Sequence, residues 1–117
     1  MLRPLCVTRQ RQWTGTLTEI LPELALAPQV ITDVESMPPQ QNWAVAILDM
    51  DTLRPDLTQS RAQLALVCTH ARHVIALLPL RLSFLLRDLE QCNATVLHKP
   101  VTAGEIALAL KRALRQS

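Results

Sequence analysis

The sequence predicts an α/β fold: a doubly wound, five-stranded parallel sheet with helices on both faces. Three observations predict it. Short, continuous apolar runs recur along the chain, the plainest being Ala44-Val45-Ala46-Ile47-Leu48, which stops abruptly at Asp49-Met50-Asp51. Uninterrupted runs of this length read as strands buried on both faces. Between them lie segments whose apolar residues fall at helical spacing, so strands and helices alternate and the crossovers are right-handed.

Taken in order, Leu5-Cys6-Val7 is the first strand, followed by Thr8-Arg9. Trp13, Leu17, Ile20, Leu21 and Leu24 fall at i, i+4, i+7, i+8 and i+11, a helix that Pro22 shortens or kinks. Gln29-Val30-Ile31-Thr32 is the second strand. The segment from Asp33 to Gln40 holds Pro38-Pro39 and leaves room for about one helical turn, so the second helix is short or missing. The third strand is the Ala44–Leu48 run. Pro55-Asp56 opens the next helix, with Leu57, Leu64, Ala65 and Cys68 on its inner side and Asp56 suited to the helix dipole. His73-Val74-Ile75-Ala76-Leu77-Leu78 is the fourth strand, ended by Pro79. Leu82, Leu85, Leu86 and Leu89 mark a helix, and Ala94-Thr95-Val96-Leu97 the fifth strand. Thr102-Ala103-Gly104-Glu105 fits a capping box. Ile106, Ala109, Leu110, Ala113 and Leu114 then form the apolar stripe of a last helix.

The 117 residues fit one domain, 1–117, and a 49% hydrophobic composition is enough for a core. No apolar run reaches the ~18–20 residues needed to span a bilayer, and no signal-peptide segment opens the chain. The expected location is therefore the cytoplasm, either alone or as the cytoplasmic part of a membrane-anchored protein, without membrane contact of its own. Net charge is +2 with scattered basic residues and 3% aromatics, which argues against a nucleic-acid surface. Cys6, Cys68 and Cys92 contain no C-x-x-C pair and read as reduced core thiols.

Open α/β sheets place their sites beyond the carboxyl ends of the strands. Thr8-Arg9, Asp49 and Lys99 project onto that edge. Here Ile47-Leu48-Asp49-Met50 and, fifty residues on, His98-Lys99-Pro100-Val101 leading into a helix, resemble the receiver domain of two-component signalling, a flavodoxin-like (βα)5 fold. In order and length the resemblance spans essentially the whole chain. It implies that Asp49 stands at the phosphoacceptor position and that Lys99 matches the lysine that touches the phosphoryl oxygens. It also implies a divalent cation held by the nucleophile and by an acidic pair ending strand one, a hydroxyl residue ending strand four, and an aromatic switch three residues before the lysine. The Lys99–Pro100 bond is often cis in the family, and the sequence does not decide it.

The departures fall at the site itself. Thr8 and Arg9 replace the acidic pair, and neither offers the carboxylate a hard divalent cation prefers. Asp51 is a weak substitute as a metal ligand, because it comes from the same loop as Asp49. Leu78 takes the hydroxyl position, Thr52-Leu53 the usual Met-Pro, and Val96 the aromatic switch. Losing one electrostatic stabiliser of a transition state typically costs ~10²–10³ in rate. The sequence therefore reads as a degenerate pseudo-receiver, in which Lys99 and Arg9 pair with Asp49 and hold one conformation. Two further readings stay open for Asp49, a plain loop cap and a working phosphoacceptor. Arg9 pointing to water is the plain reading of that residue. His70, His73 and His98 read as surface or strand-end residues, and Asp33, Glu35 and Asp51 as solvated loop charges.

The expected function is a phosphorelay module that acts by protein–protein contact and is not itself an enzyme. Such degenerate receivers resemble those inside hybrid sensor histidine kinases, so the parent protein is read as a possible kinase. The expected partners are a kinase core, a true receiver, a phosphotransfer domain, or a second copy docking through Phe84, Leu108 and Arg112, with Arg87 and Arg115 nearby. No cofactor is expected. The alternative is a phosphoaccepting response regulator that uses Asp49 and Mg²⁺. A cofactor-binding flavodoxin-like domain is disfavoured, because Gly15 and Gly104 form no glycine-rich phosphate loop.

Overall fold

Strand β3 (Trp43–Asp49) is buried along its whole length and organises both layers of the core. Side chains along a strand alternate between its two faces. On β3, Ala46 and Leu48 pack into one cluster and Val45 and Ile47 into the other, while Trp43, at the start of the strand, departs from the alternation and joins the first. The computed structural model describes residues 4–9, 19, 29–38 and 42–115. Within them the sheet has five parallel strands in the order β2-β1-β3-β4-β5. The others are β1 (Leu5–Val7), β2 (Gln29–Ile31), β4 (Ala71–Leu78) and β5 (Ala94–His98). The helix expected around Trp13 to Leu24 lies outside the described residues.

The same alternation runs through the neighbouring strands. Leu5, Val7, Val74, Ala76 and Leu78 join the first cluster, beneath α1 (Leu57–His70) and α2 (Leu86–Glu90). Cys6, Ile75 and Leu77 join the second, beneath α3 (Ala103–Arg115). Ile106, Ala109, Leu110 and Ala113 form the buried stripe of α3, as their spacing predicts. The capping box is formed in both directions: Thr102 Oγ1 accepts from the Glu105 amide at 3.2 Å, and Glu105 Oε1 accepts from the Thr102 amide at 3.3 Å. One 3-10 turn, Val34–Ser36, stands where the second helix would be, capped by Asp33. The Lys99–Pro100 peptide bond is cis.

Three expectations are corrected. The inner face of α1 is Ser60, Gln63, Leu64 and Val67, while Leu57 and Ala65 face solvent. Hydrogen bonds make that polar face possible. Gln63 accepts from the Arg54 amide at 2.8 Å and donates to Glu35 at 2.8 Å, and Ser60 donates to the Leu57 carbonyl. Asp56 is the N-cap of this helix, accepting from the Gln59 amide at 3.0 Å. The segment after Pro79 is a 3-10 stretch, Leu80–Leu85, kinked at Leu82 and running into the short α2. It still buries Leu82, Leu85 and Leu89, as their spacing predicts.

His73 is the third correction. It is buried, at 7% exposure, and its Nε2 stands 2.8 Å from Thr95 Oγ1. Its Nδ1 has no hydrogen-bond partner among the described residues. Burial holds its pKa below the ordinary histidine value. The folded state therefore keeps His73 neutral, while the unfolded chain takes up a proton once pH falls through about 6.5. Stability tied to His73 is complete above that value and is lost as pH drops below it. We expect the urea midpoint to fall between about pH 7.5 and about pH 5.5, and His73→Phe to flatten that slope whatever it does to the midpoint itself. An unchanged slope would remove His73 as the cause.

Candidate functional site

The same alternation that sorts the core also delivers the site residues. Thr8 continues the face of Cys6, Asp49 that of Ile47, and Lys99 that of Leu97, all on the α3 side of the sheet. Each stands at the carboxyl end of its strand, and the strands converge on one group. Thr8 Oγ1 donates to Asp49 Oδ2 at 3.2 Å. Lys99 Nζ donates to Asp49 Oδ1 at 2.6 Å. The backbone anchors these side chains too: the Thr8 amide bonds the Ile31 carbonyl at 3.0 Å, and the Lys99 amide the Leu78 carbonyl at 2.9 Å.

Asp49 is 1% exposed. It also acts locally, as the N-cap of the 3-10 turn Met50–Thr52. Its Oδ1 accepts from the Asp51 amide at 3.2 Å, and its carbonyl accepts from Thr52 Oγ1 at 2.7 Å. That turn points Asp51 back toward Asp49. Lys99 Nζ reaches Asp51 Oδ2 at 2.5 Å, so one ammonium bridges two carboxylates. Arg81, from the segment after Pro79, pairs with Asp51 Oδ1. Burial pushes the Asp51 carboxyl up, but the hydrogen bonds and charges of Lys99 and Arg81 outweigh it and hold it below the usual carboxylate value.

The expected residues divide as follows. Asp49, Lys99 and Thr8 meet. Asp51 is a half-buried ion-pair member and not the solvated loop charge expected. Arg9 does not join: it is exposed, and its Nε donates to the Thr32 carbonyl at 3.2 Å. Its charge instead acts on Asp33, whose carboxyl is held low mainly by the Ser36 hydroxyl it accepts from. The strand-four position is also corrected. Asp49 lies in register with Leu77, which packs on the α3 side, whereas Leu78 packs on the opposite face. The residue of β4 that shares the face of Asp49 is therefore Leu77, and it too lacks a hydroxyl. Val96 is half-buried against the α1-side cluster. Arg81 escaped the sequence reading, and Thr52 was read only within the Thr52-Leu53 pair and not as a partner of the Asp49 carbonyl. The one available signal was that Arg81 follows Pro79, at the strand end that faces the same edge.

Two carboxylates, Asp49 and Asp51, already face two cations, Lys99 and Arg81. Among the described residues no three His, Cys, Asp or Glu side chains cluster as metal ligands.

Leu80, Phe84 and Leu108 are exposed apolar side chains, at 88%, 48% and 50%. Leu108 and Arg112 line a cavity of about 210 Å³ between β5 and α3, together with His73, Thr95, Leu97 and Glu105. Among the described residues no helix is long and apolar enough to cross a membrane.

Removing the bridging ammonium should be costly. Lys99→Met leaves Asp49 buried beside Asp51 without that cation, and breaking a buried pair typically costs about 3–5 kcal/mol. Urea unfolding should show a loss of about 3 kcal/mol, and Asp49→Asn/Lys99→Met should recover a large part of it. A loss within about 0.5 kcal/mol would contradict the ion-pair account.

No family model and no curated protein sequence matches the chain. Solved structures do. The BeF3-activated DrrB receiver domain has a TM-score of 0.71 at 16% identity, over 98% of each chain. A response regulator receiver domain protein from Clostridium thermocellum has a TM-score of 0.72 at 16% identity, over 99% of this chain and 96% of that one. The receiver domain of the sensor histidine kinase PA1611 from Pseudomonas aeruginosa, with a magnesium ion coordinated in its active site cleft, has a TM-score of 0.69 at 18% identity, over 97% and 98%. The strand order, the helical layers and these neighbours agree: the chain has the flavodoxin-like fold of the response-regulator receiver (CheY-like) domains.

Proposed function

We propose that the chain is a two-component signalling module of the pseudo-receiver kind, acting through protein–protein contact and not by phosphotransfer at Asp49. One observation carries the reading: Lys99 Nζ bridges Asp49 and Asp51 at 2.6 and 2.5 Å. Phosphoryl transfer to a carboxylate depends on positive charge placed over the phosphoryl oxygens, much of it from divalent cations. Here the side chains that would hold such an ion are already neutralised by the protein's own cations. Thr8 supplies a hydroxyl where a metal site wants a carboxylate, and Leu77 supplies no hydrogen bond. Asp49 then works as a structural acid that ties β1, β3 and the start of the β5–α3 loop together.

The proposed parent is a hybrid sensor histidine kinase, and the proposed location is the cytoplasm. The proposed partners are kinase-core, receiver or phosphotransfer domains, or a second copy of the chain. Exposed Phe84, Leu108 and Arg112 supply the apolar and cationic groups for such contacts. Interfaces favour aromatic and arginine anchors of this kind. The module has no catalytic activity of its own in this reading.

A second reading rests on the retained pair. Asp49 and Lys99 are within hydrogen-bond distance, and Asp51 offers a second carboxylate. If Mg²⁺ displaces Lys99 from Asp51, the chain is a phosphoaccepting response regulator. Incubation with acetyl phosphate and Mg²⁺, read by intact mass, separates the two. The expected result is no adduct. An adduct of about 80 Da that Asp49→Ala abolishes would establish phosphoacceptance and overturn the first reading.

A further inference from the structure

Two of the three cysteines, remote in sequence, are neighbours in the fold. Cys68 lies in the last turn of α1 and Cys92 just beyond α2, and both are half-buried. They line one open cavity of about 470 Å³, with Arg61, Asp88 and Gln91 around them. Cys92 Sγ donates to the Asp88 carbonyl at 3.4 Å. Burial, then a hydrogen bond to Cys92 and its charge, push the Cys68 thiol up to about 12. The geometric link between them is the cavity wall they share. The third thiol, Cys6, is sealed inside β1 and pushed up to about 12 by burial alone.

We propose that Cys68 and Cys92 are a redox pair that closes to a reversible intramolecular disulfide, tying the end of α1 to the end of α2. Closing the bond brings the two Cβ atoms to about 3.5–4.5 Å of one another. The oxidant is a small-molecule disulfide of the glutathione class. The thiolate of Cys92 attacks one sulfur of that disulfide, forming a mixed disulfide and expelling one thiolate, which is protonated. Cys68 then loses its proton to solvent and attacks the Cys92 sulfur, expelling the second thiol. Two protein thiols are oxidised and one external disulfide is reduced to two thiols. The closing step accelerates with rising pH, because it needs the Cys68 thiolate.

The bond has a structural consequence. The Leu80–Leu85 stretch runs directly into α2 and carries Arg81, the partner of Asp51, and Phe84. A covalent tie at the far end of α2 restricts that whole segment against α1.

Reduced protein incubated with glutathione disulfide at mildly alkaline pH should lose about 2 Da in intact mass, and dithiothreitol should restore it. Peptide mapping should link the segments that contain Cys68 and Cys92. Cys68→Ser should stop at a single glutathione adduct, about 305 Da heavier, because the resolving thiol is gone. The wild-type readout stands whether or not that variant folds well. Accumulation of glutathione adducts without the 2 Da loss, a link that involves Cys6, or bonds only between molecules would each overturn the pairing.

Discussion

A single ammonium, Lys99 Nζ, sits between two carboxylates, and the carboxyl edge of the sheet is arranged around it. Asp49 is almost wholly buried, and a buried charge persists only when it is paired and hydrogen-bonded. Lys99 and Thr8 provide the pairing from two other strands, and the Asp51 amide provides it locally. Asp51 would repel Asp49 across the turn if it stood alone. Lys99 and Arg81 remove that repulsion. Two acids against two cations leave the cluster neutral.

Sheet parity explains why these groups meet. In a parallel sheet the register fixes which residues stand side by side, and the two-residue period fixes which face they share. Thr8, Asp49 and Lys99 each extend the α3-side face of their strand by one step beyond the core. Leu77 occupies the matching place on β4, directly beside Asp49. An apolar side chain there offers no hydrogen bond. The geometry that brings Asp49 and Lys99 together is therefore a product of the sheet, and the β4 side chain beside them is apolar.

Much of the fold could be read from the chain because its strands are continuous apolar runs. Leu5–Val7 matches to the residue, and β3 and β4 differ only by one or two terminal residues. The meeting of Asp49 and Lys99 was expected from their places after strands three and five together with the receiver resemblance. What escaped depends on tertiary choices that composition does not encode. The inner face of α1 buries Gln63 and Ser60 because Glu35, Arg54 and Leu57 offer them partners. His73 reads as a strand-end residue, yet β4 begins two residues earlier and carries it inside to Thr95. Arg81 enters the site through a kinked 3-10 segment whose direction the spacing of its leucines did not announce. The register between β3 and β4 decided between Leu77 and Leu78, and no local signal fixes a register in uniformly apolar strands.

In the proposed reading, Lys99 and Arg81 occupy, in charge, the role a divalent cation would have. Magnesium titration followed by amide NMR tests it most directly. Wild-type protein at millimolar magnesium should show no saturable shift at Thr8, Asp49 or Asp51, whereas Lys99→Met, with its acids released, should acquire one. Saturable magnesium-dependent shifts at those three residues in the wild-type protein would contradict the account.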